Sequence, residues 1–328
     1  MEKISVALCT FNGAEFLSKQ LESIKQQTRP IHELVVCDDG SSDETLAIIN
    51  RFSNQVAFPV HVHRNPVNLG SSKNFEQCMA LCQGDLIFLC DQDDVWMPEK
   101  VEQIVHYLAE NPDKEAVFSN ATMIDQAGFP TGKTSFEQIE FTPEVQSLWQ
   151  QGGSFRILLK GYVVTGAALA IKKRALRKIG AVPHITKELI HDGWIALNLS
   201  MANQIGFINT CLIQYREHSN QQVGFKSKPA RVSLLQRFTR SREEKLCTLR
   251  KKADIAHALL KHFEEEKEVN AEITAALLRR EAFYRMRANL PANRLFRFIP
   301  VVKHAFKGSY ALEEGGKWWR PLLGDLFE

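Results

Sequence analysis

The apolar positions of the first 120 residues fall into short runs separated by amphipathic stretches. Runs at 4–10, 33–37, 60–63, 86–90 and 116–119 have the length and β-branched content of buried strands. Stretches at 14–26, 44–52, 72–82 and 98–110 lie between them at helical spacing. In the first, Phe16 or Leu17, Leu21 and Ile24 form one stripe. Regular alternation of strand and helix predicts an α/β fold, a mostly parallel sheet with helices on both faces. Residues 121–160 break this rhythm with turn signals at Gly128, Pro130, Gly132, Gly152 and Gly153, and read as a long functional loop region. A strand over 161–171 interrupted by Gly166, a helix over 173–179, a helix over 192–202 and a strand pair over 206–216 follow. After residue 221 the pattern becomes purely helical. Leu246, Leu249, Ala253, Ala256, Leu260 and Phe263 recur at spacings of three and four, and 270–290 offers a second helix. The expected division is a main domain over 1–225 and a helical extension over 226–328.

Composition narrows the class. With 44% hydrophobic and 24% charged residues in 328, the chain reads as a soluble globular protein. Its longest apolar runs are far short of the roughly 20 residues of a membrane span. The N-terminus enters a strand at once and does not read as a signal peptide. Cys9, Cys37 and Cys90 lie in strand-like runs, and Cys78, Cys82, Cys211 and Cys247 make the count odd, with no metal-type Cys-x-x-Cys pair. The expectation is buried, reduced thiols and a cytoplasmic location. The net charge of +3 conceals an asymmetry. Residues 1–225 hold 19 basic and 25 acidic residues, a net of −6, whereas 226–328 hold 22 and 13, a net of +9. The extension also interleaves cations with aromatics at 294–300 and 317–320. This favours an anionic membrane surface as partner, hence a peripheral position on the inner face of the cell membrane, over a plain solvated face. No recognised nucleic-acid-binding fold accompanies the charge.

The candidate chemistry lies where the predicted strands end. Asp91-Gln92-Asp93-Asp94 follows the run at 86–90, at the carboxyl edge where open α/β sheets bind ligands. Three carboxylates this close repel one another and call for a cation. Their hard oxygens suit Mg²⁺ or Mn²⁺, which can bridge a diphosphate. Three more polar features sit at strand ends: Thr10-Phe11-Asn12-Gly13, the run Asp38-Asp39-Gly40-Ser41-Ser42-Asp43, and Asn68-Leu69-Gly70. Alone, the second is a good turn and helix cap. Four such features on one sheet edge describe a binding site. No Gly-x-Gly-x-x-Gly follows the first strand, which argues against a dinucleotide site.

Taken in order, Cys-Thr-Phe-Asn-Gly (9–13), Val-Cys-Asp-Asp-Gly-Ser-Ser-Asp-Glu-Thr (36–45), Asn-Leu-Gly (68–70), Asp-Gln-Asp-Asp-Val-Trp (91–96), His-Asp-Gly-Trp (191–194) and Tyr-Arg-Glu-His (215–218) resemble the family 2 glycosyltransferases of GT-A fold. The likeness is to bacterial enzymes of polysaccharide or lipopolysaccharide assembly, and the 91–96 variant is similar to rhamnosyltransferases. The resemblance implies a metal-dependent inverting transfer from a nucleotide-diphosphate sugar, dTDP-rhamnose or a UDP-hexose, to a glycan or lipid-linked acceptor. It places Thr10, Asn12, Asp39, Asn68 and Gly70 on the donor side, with Asp39 at the base, Asp38 structuring its turn and Asp91 near the ribose. Asp93 is the implied metal ligand, completed by His218. Asp192 is the implied catalytic base, with His191 shaping its surroundings. Asp94, Gly166 and Trp194 fall on the acceptor side, Gly166 by clearing space and Trp194 either there or in the core. Many relatives carry an Arg after Asn-x-Gly. Here Lys73 stands nearby as a point charge without the bidentate fork, and Arg216 is a second candidate for neutralising the leaving diphosphate.

Other functions fit less of the chain. A phosphohydrolase with an Asp-x-Asp-x-Val motif would carry it on the first strand, not the fourth. A sugar-phosphate nucleotidyltransferase would place basic residues in the first loop, which Thr10-Phe-Asn-Gly13 lacks. A non-catalytic glycan- or membrane-binding module would have no need of Asp39, Asp93 and Asp192 together.

Overall fold

A computed structural model describes residues 2–161, 163–183, 185–186, 189–219, 221, 242–266, 271–315 and 318–327. Tyr162 of the expected strand, residues 226–241 and 270 of the expected extension, and Lys317 lie outside the described residues. The chain divides into two compact units, residues 1–183 with 188–225, and residues 184–187 with 226–328.

The first unit is built on one sheet of order β3-β2-β1-β4-β8-β6-β9-β5, with β7 paired to β6. Strands β1 (Ile4–Thr10), β2 (Glu33–Asp38), β3 (Val60–Arg64) and β4 (Leu86–Asp91) run parallel. Helices α1 (Ala14–Lys25), α2 (Thr45–Ser53) and α3 (Ser71–Leu81) connect them. Every residue of β1 and β2 is buried, as parallel strands covered on both faces must be. Phe16, Leu17, Leu21 and Ile24 of α1 are buried as their spacing predicts. The register sets Thr10 beside Asp38 and Cys9 beside Asp91, so the polar strand ends share one edge. Helix α4 (Lys100–Glu110) leads to β6 (Ala116–Ile124).

Beyond this point the sheet is mixed rather than mostly parallel. Strand β8 (Leu169–Lys172) pairs antiparallel with β4 and β6. The strand expected over 161–171 is confined to this end; Gly166–Ala168 form a 3-10 turn instead. There the Ala167 carbonyl accepts a hydrogen bond from Lys100 Nζ at 2.8 Å rather than from a strand. The strand pair expected over 206–216 is one strand, β9 (Ile205–Arg216), parallel to β6 with register shifts around Asn120. It also pairs antiparallel with the two-residue β5 (Val95–Trp96).

The loop region expected over 121–160 is ordered. Strand β7 (Pro130–Thr134) turns back on β6. Asp125 Oδ1 closes that turn by accepting from Gly128 N and Phe129 N, both at 2.9 Å. Thr134 and Glu137 then form a capping box for α5 (Ser135–Gln138), followed by α6 (Pro143–Leu148), a wide turn and α7 (Ser154–Lys160). Helices α8 (Lys173–Ile179) and α9 (His191–Ser200) complete the unit. Cys9, Cys37, Cys78, Cys82 and Cys90 are buried and free.

The second unit is helical: α10 (Arg242–Glu266), α11 (Ala271–Ala288), α12 (Phe298–Phe306), α13 (Ser309–Glu314) and α14 (Trp319–Phe327). Its core gathers Leu249, Ala253, Phe283, Tyr284, Val301 and Tyr310. Arg287 and Tyr310 both bond the buried Asp325, at 2.6 and 2.8 Å. Among the described residues no helix is long and apolar enough to cross a membrane.

Candidate active site

The ends of β1 and β2 form a closed hydrogen-bonded frame. Asp38 accepts from the Thr10 hydroxyl at 3.0 Å, the Ser41 hydroxyl at 2.5 Å and the Ser41 N–H at 2.9 Å. It structures the turn, and Thr10 is 2% exposed. Asp39 accepts from Leu69 N at 2.7 Å, Gly70 N at 2.9 Å and Asn65 Nδ2 at 2.9 Å. Its carboxylate thereby holds the Asn68–Gly70 loop against β2. Asn68 Nδ2 donates to the Asp39 carbonyl at 3.2 Å. Gly70, at φ 79°, occupies a backbone region that side chains rarely adopt. Asn12, at φ 47°, accepts from Ser42 N at 2.9 Å and donates its own N–H to the Ser41 hydroxyl at 2.9 Å. Lys73 is exposed on the first turn of α3.

The end of β4 is under-neutralised by comparison. Burial, then the charges of Asp93 and Asp192, push the Asp91 carboxyl up to about 8. Asp94 is 1% exposed and also raised, by burial and then by Asp93 and Asp91. Its Oδ1 accepts from Arg216 N at 3.0 Å, while its Oδ2 is buried with no partner among the described residues. Asp93 Oδ2 lies 2.7 Å from His218 Nε2. Beneath the cluster is Lys100, 0% exposed, 3.9 Å above the Trp96 ring and held down to about 7 by burial.

Three of the expected residues are engaged inside the fold. Arg216 is 1% exposed; Nε donates to the Asp93 carbonyl at 2.8 Å and Nη1 to the carbonyls of Asp125 and Gln126. It braces the acidic loop. Asp94, whose bonded oxygen is turned to the Arg216 backbone, holds that loop rather than facing an acceptor. Trp194, 1% exposed, is packed in the interior.

The third element comes from α9. Asp192, 4% exposed in its first turn, accepts from Gly166 N at 2.8 Å through Oδ2 and from Gly193 N at 2.6 Å through Oδ1. A Cβ on Gly166 would lie 3.1 Å from His191 Nε2 and 3.2 Å from Asp192 Oδ2, so glycine permits this approach. His191 stacks on Phe75 with centroids 4.3 Å apart, and burial lowers its pKa, which keeps the ring neutral. It packs beside Asp192 against Gly166.

Two residues passed over in the sequence belong to this frame. Gln92 clamps Phe11, accepting from its N–H at 2.8 Å and donating to its carbonyl at 3.0 Å. Lys100 ties the Gly166–Ala168 turn to the acidic cluster. A lysine in a helix read as amphipathic gives no signal of burial.

A divalent cation suits this donor set. A carboxylate beside an imidazole, in a pocket with surplus negative charge and an orphaned carboxylate oxygen, is where a cation relieves repulsion. Among the described residues no three such side chains converge as a ready cage.

The family model described as glycosyl transferase family 2 matches residues 5–180. The chain belongs to that family. An uncharacterised glycosyltransferase of Nostoc sp. is 25% identical over 219 residues, 66% of this chain and 65% of its own. The matched stretch thus spans just under two thirds of that relative. The dTDP-rhamnosyl transferase RfbG of Shigella flexneri is 29% identical over 245 residues, 70% of this chain and 78% of its own. Among solved structures, a mannosyltransferase of Pyrobaculum calidifontis in complex with GDP-Man and Mn²⁺ aligns over 99% of this chain and 85% of its own. Its TM-score is 0.56 at 15% identity, a likeness that shows the shared GT-A fold. The chain is a family 2 glycosyltransferase with the α/β fold that its sequence implied.

Proposed function

We propose that this family 2 enzyme is a divalent-metal-dependent, inverting glycosyltransferase of cell-surface polysaccharide synthesis. It moves a sugar from a nucleotide diphosphate to a hydroxyl of a glycan or lipid-linked acceptor, with residues 1–225 as its transferase domain. The observation that carries this reading is the meeting of a surplus of carboxylates at the end of β4 with the buried, backbone-held Asp192. The base of the donor sits against the frame around Thr10, Asn12 and Asp39, which the Asn68–Gly70 loop closes, and the ribose lies near Asp91. Asp93 and His218 would hold Mn²⁺ or Mg²⁺, and the ion would supply positive charge against the leaving diphosphate. Lys73, exposed on the first turn of α3, is a cation available to assist. Asp192, fixed by two N–H donors, takes the proton from the acceptor hydroxyl as that oxygen attacks the anomeric carbon. Gly166, lacking a side chain, lets Asp192 lie against the backbone beside the acceptor.

The likeness to a dTDP-rhamnosyl transferase favours dTDP-rhamnose as donor, with UDP-hexoses next. Incubation of the protein with each donor, Mn²⁺ and a panel of hydroxyl acceptors, with the product anomer read by NMR, tests the proposal. Transfer with inverted configuration is expected. Retention at the anomeric carbon would reject Asp192 as a simple base.

A further inference from the structure

Helices α12 and α14 of the second unit are apolar on two sides. Inward, Val301, Ala305, Leu322 and Leu326 pack on the cluster around Phe283 and Tyr310. Outward, the 3-10 turn Arg294–Arg297 and α12 present Leu295 (82% exposed), Phe296 (67%), Phe298 (60%), Ile299 (75%) and Phe306 (90%). Ile299, Lys303 and Phe306 recur at spacings of four and three, on the side of the helix opposite the buried Val301. Helix α14 repeats the arrangement, with Trp319 (47% exposed), Leu323 (43%) and Phe327 (58%) at spacings of four. A water-soluble surface rarely exposes so many bulky apolar groups on neighbouring elements without a partner.

The charge on this surface says what the partner is. From residue 290 to 310 the chain holds four Lys or Arg and no Asp or Glu. Arg294, Lys303 and Lys307 are exposed among the aromatics, and exposed Arg320 lies over the Trp319 ring at 5.3 Å. Arg297 is instead consumed internally, by the carbonyls of Pro291, Ala292 and Asp325. Apolar side chains that project from a cationic rim match the boundary of an anionic bilayer. There the rings enter the acyl region and the ammonium groups stay with phosphate.

We infer that the α12–α14 surface docks the protein on an anionic lipid bilayer. The surface is independent of the donor site, so the two assignments stand or fall separately. Each Lys or Arg near such a surface strengthens binding by roughly fivefold, and loss of inserted rings weakens it further.

The test is cosedimentation of the full chain with vesicles of phosphatidylglycerol and phosphatidylcholine, against phosphatidylcholine alone, over a salt series. Three proteins are compared: wild type, Lys303→Glu with Lys307→Glu, and Ile299→Ser with Phe306→Ser. Wild type is expected to bind the anionic vesicles in a salt-sensitive way. Each variant should lose at least about tenfold in partition while keeping its thermal melt and its transfer to a water-soluble acceptor. Equal binding by all three, or no binding to anionic vesicles, overturns the inference. So does a concentration-dependent dimer abolished by Ile299→Ser with Phe306→Ser, which would give this face to a second copy of the chain.

Discussion

The ends of β2 and β4 each carry adjacent aspartates, and the structure treats them in opposite ways. At β2, Asp38 and Asp39 are both buried and surrounded by donors: hydroxyls of Thr10 and Ser41, N–H groups of Ser41, Leu69 and Gly70, and the amide of Asn65. At β4, Asp91 and Asp94 are pushed toward protonation by burial and mutual repulsion, and Asp94 Oδ2 has no partner among the described residues. Two acidic pairs that look alike in sequence therefore have different uses. The β2 pair is already neutralised by dipoles and builds a rigid wall. The β4 cluster is opposed by Lys100, itself held down to about 7 by burial, and by the His218 imidazole, and its remaining repulsion is what a cation would relieve under the proposed function.

The comparison breaks most visibly at Asp192, whose charge acts on Asp91 of the β4 cluster. Asp192→Asn retains the shape of the side chain and an oxygen for Gly166 N but cannot accept a proton. Transfer should fall by about 10²–10⁴-fold, the usual worth of a positioned base, with donor binding retained. Near-wild-type turnover in a steady-state assay would place the base elsewhere.

The β2 wall should show up as stability. Asp39→Ala strands the part-buried N–H groups of Leu69 and Gly70 and the buried Asn65 amide, at a cost of about 3 kcal/mol. Urea melts read this directly. Asp39→Asn, which keeps one acceptor oxygen, should lie between. If Asp39→Ala melts like wild type, the wall is not held as described.

The smallest effect concerns Lys100. Its pKa falls to about 7 in the fold because burial disfavours the ammonium, against an ordinary value of 10.5. Between those values the unfolded chain binds a proton that the folded chain does not. Lys100 by itself therefore adds stability as pH rises across that window, by up to about 1.4 kcal/mol per pH unit, against the opposite slopes of Asp91 and the buried thiols, whose pKa values burial raises. Lys100→Met should lower the pH slope relative to wild type by that amount in melts taken from pH 7 to 10. An unchanged slope would assign it to other groups.

Much of this wall was legible in the chain. β1 to β4 and the helices between them follow the alternation of apolar runs to within a residue or two, because β1, β2 and β4 are buried on both faces, β3 closes the sheet as an exposed edge strand, and each helix is buried on one face. The motifs at their ends could be placed because a parallel sheet gathers its strand ends on one edge. What escaped depends on long-range pairing. β5 is two residues long, too short for any period. The extended chain before Leu169 is apolar like a strand, yet one of its carbonyls is taken by a lysine from α4. Arg216 read as a free cation because nothing in Tyr-Arg-Glu-His shows that the carbonyls of Asp93, Asp125 and Gln126 would claim it. The order in 134–138 was readable, since Thr-Ser-Phe-Glu is a capping box.

The under-neutralised cluster is the centre of the account, and calorimetric titration with dTDP and UDP, with and without Mn²⁺, tests it most directly in wild type and Asp93→Ala. Mn²⁺ should tighten binding of the preferred nucleotide to wild type by at least about tenfold, since the ion supplies the charge the site lacks, and should do nothing for Asp93→Ala. Nucleotide affinity indifferent to Mn²⁺ in wild type, or an equal Mn²⁺ effect in Asp93→Ala, would contradict it.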